Sequence, residues 1–110
     1  LKKNYDFNII RTEKNSGPFR QIKIYALVDI GIDSLNKKNI CDKIKTNFNE
    51  YSNIIICLYA NNDIGKKLAE NETINMNAAQ RAKNWLALFT FNGSEGEYFD
   101  SNPGGYLDVY

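Results

Sequence analysis

The chain has 110 residues, 14 of them basic and 13 acidic, with 43% of the residues apolar and 13% aromatic. That length and apolar content suit one domain with a single core that needs no covalent staples. A net charge of +1 gives no strong nucleic-acid signal, and the absence of histidine removes the commonest general base, zinc ligand and pH switch.

In NYDFNIIR, residues 4–11, Tyr5, Phe7 and Ile9 alternate with Asp6 and Asn8, the period of a half-buried strand. TEKNSGP, 12–18, is rich in turn formers and reads as a break. FRQIKIYALVDIG follows, with Ile22, Ile24, Ala26, Val28 and Ile30 on one face and Lys23, Tyr25, Leu27 and Asp29 on the other. This predicts a second strand, antiparallel to the first. Asp33 or Ser34 then caps a helix. Ile40, Cys41, Ile44 and Phe48 form its apolar stripe, and Lys37, Lys38, Lys43 and Lys45 fill its solvated side.

NIIICLYA, 53–60, is apolar on both faces, which predicts a central strand covered on both sides with a parallel neighbour. Residues 62–70 predict a short helix, with Ile64 and Leu68 one turn apart, and 71–80 carry no clear period. AKNWLALFTFN, 82–92, sets Trp85, Ala87, Phe89 and Phe91 against Leu86, Leu88 and Thr90, another strand. GSEGEYFDSNPGG reads as a long turn and GYLDVY as a last edge strand. The expected fold is a single α+β domain over 1–110 in the order β-β-α-β-α-β-β, a mixed sheet with two helices packed on one face.

NIIICLYANNDIGKK has the outline of a phosphate loop, an apolar strand and a glycine turn opening a helix. A Walker loop requires G-x-x-x-x-G-K-[ST]; here Gly65 stands alone and Lys67 precedes Leu68, so the stretch reads as a plain strand-to-helix turn. Cys41 and Cys57 show no CxxC spacing. They read by default as free buried thiols, while export would permit a disulfide between them. Glu95, Glu97 and Asp100 do not follow the EF-hand pattern and read as a solvated turn. The asparagines number 16, so sequons at Asn71 and Asn92 are expected by chance. No metal or cofactor site is expected, and no apolar run approaches the ~20 residues that span a bilayer. The chain opens on Leu1, so the expectation is that the natural N-terminus lies upstream, with room there for a signal or a lipid anchor.

The run IKIYALVDI, the capped helix, IIICLYA and then KNWLALFTFN resemble small uncharacterised bacterial domains of exported or lipoprotein-like proteins, from about Tyr5 to Phe91. The resemblance implies an α+β fold and an envelope setting, and brings no catalytic residues with it. The leading expectation is therefore a non-enzymatic, envelope-associated module that binds a protein partner or itself. Trp85, Tyr98, Phe99 and Tyr106 are the expected contact residues, and the C-terminal edge strand is a template for extending a partner's sheet. A second expectation is a small hydrolase or transferase, for which Asp63, Lys66, Glu95 and Glu97 would have to converge. A third is single-stranded nucleic-acid binding on an aromatic sheet face, although the RNP1 pattern is missing.

Overall fold

The computed structural model describes residues 6–15, 17 and 20–105. Among them run β1 (Phe7–Asn15), β2 (Gln21–Val28), α1 (Ser34–Asn47), β3 (Asn53–Ala60), α2 (Asp63–Ala69), α3 (Ala78–Asn84), β4 (Trp85–Asn92) and β5 (Gly96–Asp100). The strands lie in chain order in one sheet, β1-β2-β3-β4-β5. β2 and β3 are parallel, joined through α1, and the other three pairings are antiparallel. The fold is thus α+β on a mixed sheet, with three helices among the described residues where the sequence predicts two.

The register sorts side chains between the two faces. On one face Ile24, Ile56, Phe89 and Phe99 stand in a row across β2 to β5, and Ala26, Leu58 and Ala87 in the next. Helix α1 covers this face with Ile40, Cys41 and Ile44, and Phe48 and Phe91 pack at its margin. Phe89 is fully buried there, worth about 2–3 kcal/mol of transfer free energy. Asp33 caps α1 as expected, its Oδ1 accepting from the Asn36 N–H at 2.9 Å.

Helix α2 begins directly after β3 and reaches the other face. Its Ala69 carbonyl accepts a hydrogen bond from Arg11 Nε at 2.8 Å, and the Arg11 guanidinium lies 4.0 Å above the Tyr25 ring. The helices are therefore not gathered on a single face. The short α2 can sit this close because Gly65 leaves no side chain between it and the Ala60 carbonyl.

Three boundaries differ from the sequence reading. β1 runs on through Thr12–Asn15, because Glu13 and Lys14 pair with Lys23 and Ile22 despite their turn-like composition. Residues 78–84 form α3, started by a capping box between Asn77 and Gln80. GEYFD, inside the stretch read as a turn, is β5, paired with β4 from Asn92↔Gly96 to Leu88↔Asp100. The edge strand expected at GYLDVY falls almost wholly outside the described residues.

Candidate functional site

Among the described residues, only part of the face turned away from α1 is covered. Its side chains fall in rows across the strands: Arg11, Tyr25, Cys57, Leu88 and Asp100; then Glu13, Lys23, Ile55, Thr90 and Tyr98; then Asn15, Gln21, Asn53 and Asn92. At the α2 end Leu27 pairs with Tyr59, and a register shift on β4 brings Trp85 opposite Tyr59. Leu27 is buried beside α2. Tyr25, Ile55, Cys57, Tyr59 and Leu88 are half-buried, and Tyr98 is 54% exposed.

Several contacts fix this surface. The rings of Tyr25 and Tyr59 are within 7° of parallel, with centroids 6.4 Å apart. Arg11 is locked between the Tyr25 ring, the Ala69 carbonyl and an ion pair with Glu13. Asn92 Nδ2 donates to Asn53 Oδ1 at 2.7 Å, tying β4 to β3 in the amide row. The indole Nε1 of Trp85 is buried with no hydrogen-bond partner of good geometry among the described residues, and it stands near enough to the Cys57 sulfur to favour the thiolate.

Three titratable groups on this face, Cys57, Tyr59 and Tyr25, are held toward their neutral forms. Burial pushes the Cys57 thiol up, against smaller downward pulls from the Tyr59 hydroxyl, Lys23, Trp85 and Arg11. Burial also raises the Tyr59 phenol, with Cys57 adding to it, and raises Tyr25, with the Glu13 carboxylate adding to it. A thiol held protonated is a poor nucleophile.

Of the four expected contact residues, Trp85 and Tyr98 lie on this face. Phe99 does not: it pairs with Phe89 and packs against the core on the α1 side, because neighbouring residues of a strand point to opposite faces. Tyr106 lies outside the described residues. Trp85 was expected in line with Phe89 and Phe91. The register shift at the start of β4 sets it instead beside Tyr59, on the opposite side from Phe89.

The carboxylate-and-lysine group does not gather. Asp63 and Lys66 belong to α2, after the C-terminal end of β3. Glu95 sits in the β4–β5 turn beside the other end, where the Gly93 N–H donates to the Ser52 carbonyl at 3.0 Å. An eight-residue strand, roughly 25 Å long, separates them. Glu97 is engaged by α1, 2.7 Å from Lys45 Nζ and 3.4 Å from Lys38 Nζ, and the hydrogen bond from Lys45 holds its carboxyl below the usual range. Among the described residues no cluster of three or more Cys, Asp or Glu stands close enough together to hold a metal ion, and no helix is long and apolar enough to cross a membrane.

The two cysteines are both free. Cys41 belongs to α1 and packs on one face of the sheet, and Cys57 points to the other, so the sheet itself stands between them and a disulfide is not formed. Burial pushes the Cys41 thiol up to about 12.

Sequence reasoning missed Tyr25, Ile55, Tyr59 and Leu88 as surface residues. Their alternation in IKIYALV and NIIICLYA was legible. The double-sided apolar character of β3 was read as burial on both sides, and only α1 supplies full cover. No family model matches the sequence, and no curated protein or solved structure is significantly similar to it.

Proposed function

We propose that this domain is a non-enzymatic binding module that docks a protein partner on the sheet face carrying Tyr25, Ile55, Leu88 and Tyr98. The observation behind the reading is that this face combines half-buried apolar and aromatic side chains with an amide border, on strands held rigid by α1 from behind. Tyrosine is among the residues enriched in protein contact surfaces, and a contiguous apolar patch within reach of solvent marks such a surface. An envelope setting is part of this proposal and rests on the sequence resemblance.

The test places a photo-crosslinking residue at Tyr98 in the host cell. A discrete adduct is expected, and Ile55→Lys, which puts a charge at the middle of the face, should abolish it without lowering the melting temperature by more than a few degrees. An adduct unchanged by Ile55→Lys would overturn the assignment to this face.

A second reading has one observation in its favour. Tyr25 and Tyr59 share their face with Lys23 and Arg11, the mix of aromatic and basic side chains that single-stranded nucleic-acid sites use. It requires affinity that falls steeply with salt. Filter binding that stays flat at low salt removes it.

A further inference from the structure

The turn from β4 to β5 opens on Asn92-Gly93. Of the 16 asparagines in the chain, Asn92 alone precedes a glycine. Glycine has no side chain to obstruct its own backbone nitrogen, so in a flexible chain that nitrogen can attack the asparagine amide beside it. In the folded hairpin each group that the attack needs is engaged elsewhere. The Gly93 N–H, whose proton must leave before the nitrogen can react, donates to the Ser52 carbonyl at 3.0 Å. The Asn92 amide nitrogen, which must depart, donates to Asn53 Oδ1 at 2.7 Å. Asn92 Oδ1 accepts from the Ser94 N–H at 2.9 Å, the Ser94 hydroxyl at 2.7 Å and the Glu95 N–H at 3.3 Å. A backbone N–H held in such a bond loses its proton through local opening of the structure.

We propose that Asn92 is a spontaneous deamidation site gated by the β4–β5 hairpin: the closed hairpin keeps it intact, and detachment of β5 exposes it to conversion. In the opened hairpin hydroxide removes the Gly93 amide proton. The nitrogen then bonds to Asn92 Cγ, the Cγ–Nδ2 bond breaks, and the side-chain nitrogen leaves as ammonia after taking a proton from water. Water adds to either carbonyl of the resulting five-membered imide and opens it to an aspartyl or an isoaspartyl chain. β5 is suited to such opening. It is the shortest strand among the described residues, stands at the end of the sheet order, and exposes Gly96, Glu97 and Tyr98. Its ties to α1 include the ion pairs of Glu97 with Lys45 and Lys38, which salt screens. The isoaspartyl product lengthens the main chain at the last rung of the ladder, Asn92↔Gly96, and so keeps β5 from closing in its original register. This inference does not depend on what the Tyr25 face binds.

The whole chain is held at mildly alkaline pH, in native buffer and in urea sufficient to unfold it, and each asparagine is followed by peptide fragmentation in a mass spectrometer. In urea Asn92 should deamidate faster than any other asparagine. In native buffer its rate should drop roughly tenfold or more, because the reaction then waits on local opening. Gly93→Ala is the chemical control. Its Cβ would meet only the Ser52 carbonyl oxygen at 3.8 Å, so the variant should fold, and the added methyl should suppress the modification in urea. Two variants loosen the gate. Asn53→Ala removes the acceptor of the Asn92 amide and should raise the native rate roughly fivefold, as the loss of one hydrogen bond implies, with the urea rate unchanged. Glu97→Gln frees β5 from Lys45 and Lys38 and should raise the native rate by less, as suits a surface pair. Circular dichroism checks that the variants are folded, and the Glu97→Gln arm stands without Asn53→Ala. Equal Asn92 rates in native buffer and in urea, another asparagine leading in urea, or a native rate that neither gate variant moves would overturn the proposal.

Discussion

Replacing Gly65 with alanine sets two physical effects against each other. Gly65 lies within α2, and helix propensity alone makes Gly→Ala stabilising by about 1 kcal/mol. The structure predicts the opposite sign. A Cβ at Gly65 would stand 1.7 Å from the Ala60 carbonyl oxygen and 2.7 Å from its carbon, backbone atoms that end a central strand and have no rotamer with which to give way. The helix must therefore back off by more than an ångström. Its N-terminus is held by two further contacts, the Gly65 N–H donating to Asn62 Oδ1 at 2.8 Å and Asn62 Nδ2 donating to Asn84 Oδ1 at 2.8 Å. Losing the cap costs about 1 kcal/mol, and leaving the buried Asn84 acceptor unpaired costs about 1–3 kcal/mol. Set against the propensity gain, the net loss is about 1–3 kcal/mol, or roughly 5–15 °C in melting temperature for a domain of this size. Thermal unfolding followed by circular dichroism reads this, with Gly31→Ala as the control, since its Cβ would meet only the Asp29 side chain at 3.8 Å. A Gly65→Ala chain melting at or above the wild-type temperature would refute the reasoning.

The two faces of β3 give a paired test. Ile56 is fully buried, so Ile56→Lys should leave the chain unfolded, whereas Ile55→Lys, half-buried on the open face, should cost about 1 kcal/mol or less; near-ultraviolet circular dichroism of the two variants separates them. At high pH the Cys41 thiol ionises in the unfolded chain from about its ordinary value of 9.0 but not in the folded one until about 12. Stability should therefore fall with rising pH across that window, by about 1.4 kcal/mol per unit from this group, and Cys41→Ala should remove that part of the slope in urea titrations. Glu97 behaves in the opposite sense: its carboxyl is held below its ordinary value of 4.5 by Lys45, so its contribution is present above that pH and is lost as pH falls through the depressed value. Glu97→Gln should flatten the acid limb of the stability curve slightly, by the few tenths of a kcal/mol typical of a surface pair.

The elements that were legible in the sequence are those whose side-chain period agrees with their surroundings. IKIYALV alternates because one of its faces meets α1, and α1 shows its stripe because Ile40, Cys41 and Ile44 meet that same face. What escaped was decided at longer range. Lys14 and Asn15 look like turn residues until β2 supplies partners for their backbone. β5 is short and polar, and becomes a strand because β4 lies alongside it. Its local signal was the Asn92-Gly93 pair and the three-residue turn ending at Gly96, whose φ of 88° suits a hairpin. The start of α3 was also written locally, as Asn77 and Gln80 three residues apart, but the stronger alternation of WLALFT drew the strand reading backwards over it.

The candidate site was the least legible part, and the reason lies in β3. A strand covered on both sides and a strand covered on one side with an apolar docking face on the other have the same sequence, because both need apolar side chains at every position. NIIICLYA states that Ile55, Cys57 and Tyr59 avoid water; it does not state whether they do so beneath another element of their own chain. The distinction appears only when the helices are placed. α1 spans the Ile54–Ile56–Leu58 side, whereas α2, with seven residues, is too short to span the other and closes only its Leu27 end. The remainder of that face keeps the composition of a buried surface with only partial cover, and this mismatch directs attention to Tyr25, Ile55, Leu88 and Tyr98 ahead of the acidic turn or the lone glycine loop.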